Sequence, residues 1–99
     1  MEIREKLKQI IEEAQKAAIV AGELPEGEYA PVQRLEIPKE KKFGDYSTNA
    51  AMQWARTAHR APRMIAEVLV KHIESDLVDH MEIAGAGFIN FYLTDDLVY

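Results

Sequence analysis

With 99 residues, 47% of them apolar and 29% charged, the chain has the make-up of one folded domain with a single core, and disorder is excluded. The absence of cysteine rules out a disulfide framework, and a net charge of −5 rules out a uniformly basic nucleic-acid binder. No apolar run approaches the length of a bilayer span, and the start Met1-Glu2-Ile3-Arg4-Glu5 is too acidic for a secretory leader. A cytoplasmic protein with no membrane partner is therefore expected.

In chain order, Ile3, Leu7, Ile10, Ile11, Ala14, Ala17 and Ala18 recur at helical spacing and predict an amphipathic helix over residues 2–21, stopped at Gly22. Gly22–Pro31, punctuated by proline and glycine, reads as a loop. Val32–Ile37 then reads as a strand, with Gln33, Leu35 and Ile37 on one side and Arg34 and Glu36 on the other, ended by Pro38. Lys39–Lys42 is an exposed charged connection, and Phe43–Tyr46 a short extended piece. A second helix is expected from near Ser47, capped by Asp45 or Ser47, with Ala50, Ala51, Trp54, Ala55 and Ala58 inward. Pro62 suits the first turn of a third helix over residues 62–75, with an apolar stripe of Met64 or Ile65, Val68, Leu69, His72 and Ile73. Strands near 79–84 and 88–93 are joined at Gly85-Ala86-Gly87 as a hairpin. Thr94-Asp95-Asp96 resembles the start of a further helix, so the chain reads as a segment truncated from something longer.

The charge is not evenly spread. Residues 1–38 carry a balance of −3, residues 39–63 of +4 and residues 64–99 of −6. The basic middle makes Lys41, Lys42, Arg56, Arg60 and Arg63 candidates for phosphate contacts, with ordinary solvated surface as the alternative. The three histidines lack metal-ligand spacing, and no nucleophile is paired with a base. No metal and no catalytic residue are therefore expected. Gly85-x-Gly87 joins strand to strand, unlike a dinucleotide-binding loop.

The last strand offers more. In Gly87–Leu93, Ile89, Phe91 and Leu93 form an apolar face, and Phe88, Asn90 and Tyr92 alternate onto the other. If that second face is open, two aromatic rings and an amide project together, a surface suited to stacking a splayed base and reading its edge. The alternative is that another element of the parent protein covers it.

Two segments carry a family resemblance. Phe43-Gly44-Asp45-Tyr46-Ser47-Thr48-Asn49-Ala50-Ala51-Met52 resembles the G-D-Y-x-x-N-x-A stretch of arginyl-tRNA synthetases, and Met81–Phe91 resembles their E-I-A-G-P-G-F-I-N-F segment. Ala61-Pro62 and Ile65-Ala66-Glu67 fit between them, and Ala86 departs from the usual proline. The resemblance implies the additional amino-terminal domain of the synthetase, here residues 1–99 as a single domain. Its fold would be α+β: a two-layer unit of about three helices on one face of a small, mainly antiparallel sheet, in the order α-β-β-α-α-β-β. It further implies contact with the D-loop at the elbow of tRNA(Arg), with Phe88 and Asn90 as readers of a nucleotide and Tyr92 supporting the same surface.

The catalytic HIGH and KMSKS-like motifs of that family are absent from these residues. The fragment is thus expected to be non-catalytic, with ATP and magnesium, and the attachment of arginine, belonging to the catalytic domain of the same parent chain. A monomer is expected. The rival reading is a structural docking module without base recognition.

Overall fold

The first helix follows its periodicity: α1 spans Ile3–Val20 and buries Leu7, Ile11, Ala14 and Ala18. It ends at Gly22 as expected, where Gly22 N donates to Ile19 O and Glu23 N to Ala18 O. The computed structural model describes residues 2–94, and β1 (Tyr46–Thr48), α2 (Ala50–Ala58), α3 (Pro62–His72), β2 (Val78–Ala84) and β3 (Phe88–Leu93) follow α1 within it. A single 3₁₀ turn, Lys41–Phe43, precedes β1. The helix anticipated after Thr94 falls beyond the described residues.

The three strands are antiparallel in the order β1-β3-β2, so β3 is central. Tyr46, Met81 and Phe91 share one rung, and Thr48, Ile83 and Ile89 another, both facing the helices. Helices α2 and α3 lie on that face and α1 packs on α3, which places Trp54, Ile65, Leu69, Ile89 and Phe91 in one core. The architecture is the three-helix, antiparallel α+β unit expected.

Three details differ from the sequence reading. Val32–Ile37 is not a strand: Glu36 alone pairs, exchanging backbone bonds of 2.9 and 2.8 Å with Ser47. Val32 and Leu35 are buried three residues apart instead of in alternation, and Ile37 is 60% exposed. Prolines at 31 and 38 bound the segment and offer no N–H to a ladder. The start of α2 is capped by neither Asp45 nor Ser47, because Ser47 lies in β1 and the Asp45 carboxylate accepts from Leu93 N at 2.9 Å. Thr48 Oγ1 accepts from Ala50 N instead. Of the two inward candidates in α3, Ile65 is the buried one, with Met64 54% exposed. That helix stops at His72, because Ile73 turns extended and takes its side chain into the core.

Candidate nucleic-acid interface

Antiparallel registry decides what surrounds the second face of β3. Phe88 stands opposite Ala84, Asn90 lies between Ser47 and Glu82, and Tyr92 stands opposite His80. The face is open at one end only. Phe88 is 39% exposed, whereas Asn90 is 5% exposed. The segment around Gly44 lies against the middle of β3: a Cβ at Gly44 would sit 2.8 Å from Phe91 O and 3.5 Å from Asn90 Cβ. Gly44 has φ of 96°, so both its conformation and its contact require glycine. Among the described residues no hydrogen bond engages the Asn90 amide, nor is it one of the fully buried polar groups left without a partner. Its donors and acceptor remain for solvent or a ligand.

Tyr92 is committed within the fold. Its ring stacks on His80 with centroids 4.2 Å apart and planes 10° from parallel. Its hydroxyl lies 2.6 Å from Lys42 O and 3.1 Å from Glu82 Oε1, and its one proton serves one of them at a time. Burial pushes the Tyr92 phenol up, and the neighbouring Glu82 carboxylate adds to the shift. With one ring face covered, Tyr92 buttresses the surface beside Asn90.

The basic residues divide. Arg63 Nη1 donates to Gly85 O at 2.8 Å, in the hairpin turn that also borders the Phe88 ring. Lys42 sits at the Tyr92 end, 3.4 Å from Glu40 and over the ring of Phe43. Lys41 pairs with Asp45 at 3.1 Å. Arg60 faces the other way, where its charge acts on Tyr29 in the loop after α1. Arg56 is exposed in the last turn of α2. The structure thus gathers Arg63 and Lys42 near the two ends of β3 and leaves Arg60 on the helical side.

Sequence reasoning missed a small cleft beside Phe88, lined by Gln33, Arg34, Glu36, Ser47 and Asn49. Asn49 Nδ2 donates to Gln33 Oε1 at 3.1 Å across it. The advance signals are the amide of Asn49 in the Phe43–Met52 stretch and the placement of Arg34 and Glu36 on one side of their segment. The pairing of Glu36 with Ser47, which brings them beside Phe88, is long-range. Tyr46 faces the helices, with the Arg4 guanidinium 5.6 Å from its ring centroid. Among the described residues no group of three or more His, Asp or Glu side chains is placed to hold a metal ion, and no helix is long and apolar enough to cross a membrane.

The family model described as "Arginyl tRNA synthetase N terminal domain" matches residues 1–93. The chain belongs to that family. The arginine–tRNA ligase of Bacillus subtilis is 46% identical over 97 residues, covering 96% of this chain and 17% of the ligase. That of Listeria welshimeri is 55% identical over 86 residues, covering 85% and 15%. The chain therefore spans about a sixth of the length of these relatives. The crystal structure of arginyl-tRNA synthetase from Plasmodium falciparum superposes with a TM-score of 0.74 at 18% identity, over 95% of this chain and 16% of that one, which establishes the shared fold.

The arginyl-tRNA synthetase segments seen in the sequence meet in space. Tyr46–Thr48 pairs with Ile89–Phe91, Gly44 closes onto Phe91, and Pro62 packs against Gly87. A Cβ at Gly87, whose φ is 141°, would sit 2.9 Å from Pro62 Cβ. In this synthetase domain the motif glycines and Pro62 therefore hold the hairpin on the helices and aim Phe88 outward.

Proposed function

We propose that this domain recognises tRNA for an arginine–tRNA ligase. Phe88 stacks on a base of the D-loop at the elbow of tRNA(Arg), Asn90 reads the edge of that base, and Tyr92, braced by His80 and Lys42, holds the strand face in place. Arg63 and Lys42 flank the site for phosphate. Arginine activation with ATP and magnesium belongs to the catalytic domain of the same chain, and this domain contributes no catalytic residue to it.

One observation carries the reading. An exposed aromatic ring and, two residues on, a largely buried amide with no hydrogen bond among the described residues lie on the same side of the central strand. Stacking on a ring is insensitive to base identity, whereas an amide edge discriminates, so the pair combines affinity with selection.

The test is tRNA binding by the full-length ligase carrying Phe88→Ala or Asn90→Ala, with tRNA altered only in its D-loop. Phe88→Ala is expected to cost about 1–3 kcal/mol, roughly five- to hundredfold in Kd. Asn90→Ala is expected to flatten the preference among D-loop variants. If neither substitution changes affinity or preference, the domain is a docking module and base recognition is excluded.

A further inference from the structure

The cleft beside Phe88 has free space of about 20 Å³, enough for one water-sized group and too little for a nucleobase. A nucleotide lying on Phe88 can therefore send only a small substituent into it. Its walls offer both kinds of hydrogen-bonding group: Arg34 donates, Glu36 accepts, and Gln33, Ser47 and Asn49 do both. The bond from Asn49 Nδ2 to Gln33 Oε1 orients the two amides and leaves Asn49 Oδ1 and the Gln33 amino group for a further partner. The paired backbones of Glu36 and Ser47 hold one side of the cleft in place.

These features narrow the occupant. Glu36 offsets the charge of Arg34 in the same wall, so the cleft offers no net positive charge to an anion such as phosphate. A methyl group would leave the polar lining unpaired. A hydroxyl fits, because it is small and both donates and accepts. In RNA the 2′-hydroxyl is such a group, carried by every nucleotide close to its base.

We propose that this cleft seats the ribose 2′-hydroxyl of the nucleotide stacked on Phe88, held by Asn49 and Gln33. The assignment rests on the stacking role of Phe88. It gives the cleft a task separate from that of Asn90, which does not line it: Asn90 distinguishes bases, and the cleft distinguishes RNA from DNA.

The experiment measures binding of full-length ligase to tRNA(Arg) carrying single 2′-deoxy nucleotides placed in turn through the D-loop. One position is expected to lose about three- to tenfold in affinity, the size of one hydrogen bond. Asn49→Ala and Gln33→Ala ligases should bind all-ribose tRNA more weakly by a similar factor and show no further loss at that position. Gln33 is itself exposed in a segment without regular structure, so its variant reports even where Asn49→Ala disturbs the start of α2. If wild-type ligase binds every 2′-deoxy tRNA as well as the parent while Phe88→Ala still weakens binding, the cleft assignment is overturned and stacking stands. If Phe88→Ala is silent as well, both are overturned.

Discussion

Asp45 acts as a length of strand made partly from a side chain. Its backbone N donates to Phe91 O at 2.8 Å, and its carboxylate accepts from Leu93 N at 2.9 Å and from Lys41 Nζ at 3.1 Å. It thereby extends the β1 edge alongside β3 by one residue before β1 itself begins. The Leu93 amide holds the Asp45 carboxyl below its ordinary range, with Lys41 adding to the effect against the opposing influence of burial. Because the folded-state pKa is depressed, the resulting stability is complete above the unfolded value near 3.8 and is lost as pH falls through the lower folded value. Asp45→Ala is expected to destabilise by about 1–2 kcal/mol, since Leu93 N loses its acceptor at a partly exposed site. Asp45→Asn keeps an acceptor and should lose less. In urea titrations the gap between wild type and Asp45→Asn should be widest at neutral pH and close below the carboxylate range. A gap that stays constant with pH would remove the charge from this account.

At the scale of elements, the stretch from Leu24 to Leu35 has almost no regular structure, yet it buries Leu24, Val32 and Leu35. It is held by side chains that bond its backbone: Trp54 Nε1 to Ala30 O and Gln53 Nε2 to Pro31 O, both at 2.7 Å, while Glu12 accepts from Val32 N at 3.2 Å. Trp54 also meets the ring of Tyr29 edge-on, 5.7 Å between centroids. Trp54→Phe should therefore cost about 1–3 kcal/mol through the lost bond and the space left behind. Its signature should be amide hydrogen exchange in this segment accelerated by more than the global loss of stability, while β3 amides accelerate by the global loss alone. Uniform acceleration would mean that Trp54 serves the core alone.

The same elements explain what the sequence could reveal. Helices α1 and α3 and the β2–β3 hairpin were legible because their apolar periodicity and turn residues are local. Val32–Ile37 misled because its sequence alternates, whereas its backbone is held by the Glu12 side chain at Val32 and by a single bridge from Glu36 to Ser47, with no continuous ladder. The alternation of Phe88, Asn90 and Tyr92 was also legible. The burial of Asn90 was not, because Gly44, which lies against its Cβ, arrives from far along the chain.

The whole molecule is acidic, and its expected partner is a polyanion, so the placement of positive charge decides how the two meet. The basic middle of the sequence does not form one patch. Lys41 and Lys42 each stand beside a carboxylate, at 3.1 and 3.4 Å, and Arg60 lies by Tyr29 on the helical side. Arg63 is different. It is anchored at the hairpin turn that borders Phe88, and its contact there is a neutral carbonyl. A guanidinium bound to a carbonyl keeps its charge uncompensated and still has donors for a phosphate. Each phosphate contact releases counterions, so its loss lowers the slope of log K against log salt by about 0.7–0.9. For full-length ligase binding tRNA(Arg), Arg63→Ala is expected to lower the slope by that amount without changing D-loop preference. Arg60→Ala should leave the slope unchanged. Equal slope changes in both variants would show that the helical side also touches the tRNA, and that the contact surface wraps beyond the outer sheet face.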